Sequence, residues 1–190
     1  MPTWENVEVS ALMRLNTNSN SAYSASGLIA RANDVTSPSA TEASFYMYRL
    51  VRDERGNSAT AQLYRKNENG GFSLLDSIGL GSLGAVPESE NIFMKLITST
   101  VGSDVHLMGM ASLDQDFDNP FGMIDFTDVS ANALLGPGSA GFRVFGTGPV
   151  NFDNFTVNVF HPAVPEPATL SLLALAGAGL LHRRRGRASH

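Results

Sequence analysis

Three aspartates recur at alternate positions in Asp114-Gln115-Asp116-Phe117-Asp118-Asn119, the spacing by which one loop wraps a hard cation such as calcium. An EF-hand loop starting at Asp114 requires glycine where Asn119 stands and a bidentate glutamate where Asp125 stands, and Pro120 interrupts the run. The same carboxylates suit a solvated turn between two strands. That reading is preferred, with calcium on Asp114, Asp116 and Asp118 as the alternative.

Other reactive side chains are sparse. Of the four histidines, His161, His182 and His190 belong to the last 30 residues. His106 stands in a strand-like run with no partner close in sequence, so a structural role is expected of it. Glu8, Asp53, Glu54 and Asp76 are the carboxylates from which a glycosidase would draw its pair, and such an enzyme needs two of them facing one cleft. Tyr46, Tyr48, Tyr64 and Trp4 could stack on sugar rings. Tyr46 and Tyr48 share one face of their run, however, and cross-strand packing is the simpler use of both. The chain has no cysteine, which removes disulfides, thiolate metal sites and cysteine nucleophiles together. Gly79, Gly81 and Gly84 open no helix and make no phosphate loop.

The elements that must position these residues read as strands. Charged residues make up 16% of the chain and glycine is frequent at 18 residues, a balance familiar from extracellular β proteins. Residues 7–15 alternate apolar and polar, and residues 26–31, 44–52, 59–66 and 72–78 follow, separated by turn residues at 53–57 and 67–71. After a glycine-rich loop over 79–90 come runs at 91–98, 104–110, 123–129, 139–145 and 150–160. About ten short strands at this spacing predict an antiparallel sandwich in residues 1–160, with Phe152, Phe155 and Val157 or their neighbours buried. That region carries 17 acids against nine Lys+Arg, and nothing in it recruits nucleic acid.

The end of the chain has a different grammar. A linker, residues 161–167, closes on Pro165-Glu166-Pro167, where each proline fixes its own φ and pushes its predecessor towards extended structure. Residues 168–181 follow without a charge, and residues 182–190 include Arg183, Arg184, Arg185 and Arg187. As a helix the apolar run reaches about 21 Å, short of a hydrocarbon core of about 30 Å. Apolar residues on every face and the arginine cap nevertheless favour a transmembrane helix over a buried one, because arginine side chains snorkel to the headgroups. The arginines then lie in the cytoplasm and everything before Pro165 lies outside.

This ordered tail, residues 164–187, resembles the PEP-CTERM sorting signal of Gram-negative, exopolysaccharide-producing bacteria. The resemblance implies recognition by an exosortase in the inner membrane, processing near Pro165-Glu166-Pro167, and delivery to the cell surface or extracellular matrix. The first residues, Met1 to Val7, show neither a basic n-region nor an apolar h-region, which points to a chain shortened at its N-terminus or a start codon set too far downstream.

Gly138-Ser139-Ala140-Gly141-Phe142-Arg143, followed by Val150-Asn151-Phe152-Asp153-Asn154-Phe155-Thr156-Val157, resembles the closing strands of a concanavalin A-like, laminin G-like jelly roll. Such domains set the final strand beside the first and carry strands ahead of the one at Val7. The expectation is therefore an all-β jelly-roll sandwich lacking its N-terminal strands, with an unpaired edge near Val7 or Phe155, then one hydrophobic helix. Its function would be that of an exported, non-enzymatic binding or structural module with exopolysaccharide as candidate partner. The alternative is a carbohydrate-active hydrolase of the same fold, although the Glu-x-Asp-x-x-Glu pattern of jelly-roll glucanases is absent.

Overall fold

The structure, a computed structural model, describes residues 4–15, 23–33, 43–68, 70–87, 90–146 and 150–160. The described residues form ten strands: β1 (Val7–Leu15), β2 (Tyr23–Asn33), β3 (Ser44–Asp53), β4 (Ser58–Lys66), β5 (Phe72–Gly81), β6 (Ile92–Val101), β7 (Asp104–Ser112), β8 (Gly122–Asp128), β9 (Ser139–Gly146) and β10 (Val150–Val159). They make two five-stranded antiparallel sheets, β10-β1-β6-β7-β8 and β5-β4-β3-β2-β9, and the chain passes between the sheets after β1, β5, β8 and β9. This is a jelly-roll sandwich, and its last strand pairs with its first.

Alternation builds the core. Val7, Val9, Ala11, Met13 and Leu15 of β1, with Ile92, Met94 and Leu96 of the neighbouring β6, join Tyr46, Tyr48 and Leu50 from β3 of the other sheet in one buried cluster. Each large aliphatic side chain so buried contributes about 1.5–3 kcal/mol. Tyr48 fits because the strand facing it carries Gly109, where a Cβ would collide with the tyrosine ring, and its hydroxyl donates to Gly122 O at 2.8 Å. The β3–β4 turn is closed by Asp53 Oδ1, which accepts from the amides of Arg55 at 3.1 Å and Gly56 at 3.2 Å.

Two expectations meet different outcomes at β10. This strand is an edge, so the unpaired edge lies near Phe155, whereas β1 at Val7 is paired on both sides. Phe152 and Val157 are half-buried, but Phe155 is 39% exposed. Phe155 still packs edge-on against Phe142 of β9 in the opposite sheet, centroids 6.0 Å apart, the ring on which Phe152 stacks at 4.4 Å. A bulge opposite Ser10 and Leu12, with Asn154 at φ 51°, sets both on this side of β10, and the exposure of Phe155 is that of a ring at the open edge. The glycine-rich stretch also differs from expectation: β5 runs on to Gly81, and only a 3-10 turn at Leu83–Ala85 precedes β6.

The chain divides into two units, Met1–Phe160 and His161–His190. Among the described residues no helix is long and apolar enough to cross a membrane. The expected span at 168–181, Pro165, Glu166, Pro167 and the arginines at 183, 184, 185 and 187 lie outside the described residues.

Candidate functional site

The outward face of β5-β4-β3-β2-β9 gathers aromatic rings and cations. The antiparallel register sets Arg143 of β9, Gly27 of β2, Arg49 of β3 and Gln62 of β4 in one cross-strand row. Phe45, Lys66 and Phe72 form another. Phe72 meets Phe45, Tyr64 and Phe145 edge-on, with ring centroids 5.9, 6.2 and 6.3 Å apart. Such pairs add about 0.5–1.5 kcal/mol beyond their area.

The guanidiniums lie on these rings. Arg143 Cζ is 4.2 Å from the centroid of Phe145, 5.0 Å from Phe72 and 5.6 Å from Phe45. Arg49 Cζ is 4.5 Å from Tyr64 and 5.5 Å from Phe145, while its Nε donates to Gln62 Oε1 at 2.9 Å and its Nη2 to Tyr64 Oη at 3.2 Å. Among the described residues neither arginine is ion-paired with a carboxylate. Burial, and then repulsion from Arg49, pulls the Arg143 pKa down; burial, and then Arg143, does the same to Lys66. Arg49, Tyr64, Phe72 and Phe145 line a shallow hollow. Planar rings beside guanidiniums can stack on a sugar or another flat group and donate hydrogen bonds to an oxyanion.

The outward face of the other sheet is self-satisfied. Lys95 Nζ lies 3.6 Å from Glu8 Oε2 and 4.6 Å from the ring centroid of Phe117, and Ser10 and Thr156 share a hydrogen bond of 3.0 Å. His106 Nε2 is 2.7 Å from Asp125 Oδ1, a partner 19 residues away in sequence that the β7–β8 pairing supplies. Both side chains are partly exposed, and the pair is a surface contact.

Inside the sandwich most polar groups are tied down, although among the described residues Ser26 Oγ and Arg65 Nε have no hydrogen-bond partner. Asp128 accepts from Tyr46 Oη at 2.8 Å and from Arg65 Nη1 at 2.7 Å. Burial alone would raise the Asp128 pKa, but donation from Ser130, Arg65 and Tyr46 holds it below the ordinary value. Burial pushes the Tyr46 and Tyr48 phenols well up. Arg31, turned inward by a bulge at φ 54°, donates to Thr98 Oγ1 at 3.4 Å, Leu134 O at 2.8 Å and Thr100 Oγ1 at 2.9 Å.

The candidates from sequence separate accordingly. Tyr46 and Tyr48 are core residues. Trp4 is half-buried and bridges Gly138 through its backbone at 2.8 and 3.0 Å. Tyr64 alone joins the outward face, with three phenylalanines and two arginines that sequence reading passed over. Asp114, Asp116 and Asp118 lie together on the loop between β7 and β8. Among the described residues no three His, Cys, Asp or Glu side chains converge to hold a metal, and Asp114 Oδ1 instead accepts from the amide of Asp116 at 3.2 Å. Phe117 adopts φ 58° and brings its ring over Lys95, which lays the loop against β6. Of the carboxylates, Glu8 lies on β1, Asp53 and Glu54 at the β3–β4 turn, and Asp76 on β5. Asp53 and Glu54 are engaged by their own turn and by Arg52.

The tail adds the deciding observation. Residues 163–186 match the family model of the PEP-CTERM protein-sorting motif. The chain carries a PEP-CTERM sorting signal. That signal is what an exosortase recognises, so the chain is an exported protein sorted through its C-terminus. No curated protein matches the chain. Among solved structures it is similar to sheep galectin-11 in complex with glycerol, at 8% identity and a TM-score of 0.41, over 81% of this chain and 90% of that one. The sandwich itself follows from the strand ladders.

Proposed function

We propose that this is a PEP-CTERM protein whose tail inserts as a transmembrane helix over residues 168–181, with Arg183, Arg184, Arg185 and Arg187 held in the cytoplasm and the sandwich on the periplasmic side. An exosortase then releases it at Pro165-Glu166-Pro167 to the cell surface or extracellular matrix, where the sandwich acts as a non-enzymatic module for exopolysaccharide. The match over residues 163–186 carries the sorting part of this reading. The aromatic and basic face supports the binding part, because rings and guanidiniums are the groups with which a rigid sheet holds a sugar chain. Glu8, Asp76 and the adjacent Asp53 and Glu54 lie on three different elements, and Glu8 and Glu54 are engaged by Lys95 and Arg52, which favours binding over catalysis.

Replacement of Pro165-Glu166-Pro167 by three alanines tests the sorting step. In a host with a matching exosortase, the chain behind an export signal is expected to enter the membrane fraction with either sequence, since the apolar run is untouched. Only the parent should be converted to a shorter released form. Normal processing of the triple-alanine variant, or failure of the parent to reach the membrane, contradicts the reading.

A further inference from the structure

The face of β5-β4-β3-β2-β9 narrows the sugar chemistry that such a module would take. Resting on the polysaccharide reading, we propose that this face binds an acidic polysaccharide, its carboxylates taken by Arg49 and Arg143 and its sugar rings by Tyr64 and Phe72.

Charge carries the first step. Residues 1–160 hold 17 acids against nine Lys+Arg, yet Arg49 and Arg143 meet on this one face, both over the ring of Phe145. Close cations repel, and aromatic rings return only part of what a carboxylate would give a guanidinium. A neutral glycan leaves that repulsion in place. An acidic one relieves it.

Geometry carries the second. Among the described residues Arg143 makes no hydrogen bond, and Arg49 spends N–H groups only on Gln62 and Tyr64. Each therefore keeps donors from a fork of five that suits a carboxylate. Between them in the row stands Gly27, where a Cβ would collide with Tyr48 O and lie 2.7 Å from Arg49 Cβ. That position is filled by Arg49 and the β3 backbone, and the two guanidiniums converge on one ring, Arg143 Cζ 4.2 Å and Arg49 Cζ 5.5 Å from the centroid of Phe145, so one extended chain can meet both. Phe72, 41% exposed on the edge strand β5, offers its ring beside them.

The test uses the full chain in detergent micelles and titrates alginate, its carboxyl-reduced neutral counterpart and poly-glutamate by calorimetry. Alginate is expected to bind, and Arg49→Gln or Arg143→Gln to weaken it by about tenfold or more, the loss of one charge-assisted contact. Phe72→Ala should weaken it several-fold, and Arg143→Lys should fall between parent and Arg143→Gln. Arg14→Gln, which removes the same charge from an exposed position on β1, should stay within about twofold of the parent, with salt screening taken as equal. Unchanged melting temperatures exclude misfolding, and Arg143→Lys serves should Arg143→Gln fail to fold. Equal binding of carboxyl-reduced alginate overturns the acidic assignment while leaving a polysaccharide module standing. Poly-glutamate binding as tightly as alginate, or Arg14→Gln weakening alginate as much as Arg143→Gln, overturns the site. If neither polysaccharide binds, the module reading falls and this inference with it.

Discussion

On the inward side of β5-β4-β3-β2-β9, Arg31, Arg52 and Arg65 each end on oxygen atoms: Thr98, Thr100 and Leu134; Leu83, Val86 and Glu54; Asp128 and Ser130. On the outward side of the same sheet, Arg49 and Arg143 lie on aromatic rings with no carboxylate paired to them among the described residues. Five arginines on one sheet thus have two uses. Those facing in close the sandwich, because a buried charge without partners costs several kcal/mol. Those facing out spend few N–H groups on the chain itself.

The largest effect should come from the inward set. Arg65→Met leaves Asp128 buried without its cation and should lower unfolding free energy by about 3–5 kcal/mol in urea titration; a loss below about 1 kcal/mol would erase the contrast between the faces. The same ion pair sets the acid limb. Asp128 has a folded pKa below its ordinary 3.8, so its contribution is complete above that value and is lost as pH falls through the folded pKa. Asp128→Asn should therefore flatten the fall in melting temperature below about pH 4 relative to the parent. At the alkaline end the raised phenols of Tyr46 and Tyr48 work in the opposite sense: their contribution is complete below pH 10 and is lost as pH rises beyond it.

The outward set should barely register in stability. Arg143→Gln is expected to cost about 1 kcal/mol or less, the range of an exposed cation–π contact. Smaller still is the other sheet's surface pair, where His106→Gln should change unfolding free energy by less than about 1 kcal/mol, since both partners are partly exposed. An Arg143→Gln loss as large as that of Arg65→Met would make the outward arginines architectural too.

Much of the fold was legible because its signals are local. The β1 span, residues 7–15, follows from strict alternation, and the β3-β4-β5 meander from the turn residues between its strands. The far end of β5 was hidden by Gly79 and Gly81, which read as loop although the strand passes through them. Inward arginines were not legible at all: the Arg65–Asp128 contact spans 63 positions and the Arg31–Leu134 contact 103, and no local pattern announces such pairs. The aromatic face failed for the same reason. Phe45, Tyr64 and Phe72 meet within the meander, but Phe145 and Arg143 join them only because β9 packs beside β2, a pairing that no local pattern announces. In the acidic loop the alternate spacing was visible, but not that Phe117, at φ 58°, would set its ring over Lys95 of β6. The tail needed no tertiary partner. Its information is the order of a proline pair, an apolar run and an arginine cap, and that order matched.

The central claim, that the C-terminus is a sorting signal removed on delivery, is tested most directly by the intact mass of the form recovered outside cells that express the chain behind an export signal with a matching exosortase. A form lighter than the 20.2 kDa chain by the residues that follow the Pro-Glu-Pro region is predicted. Recovery outside the cell with residues 182–190 still attached, or retention inside the cytoplasm at full mass, would contradict it.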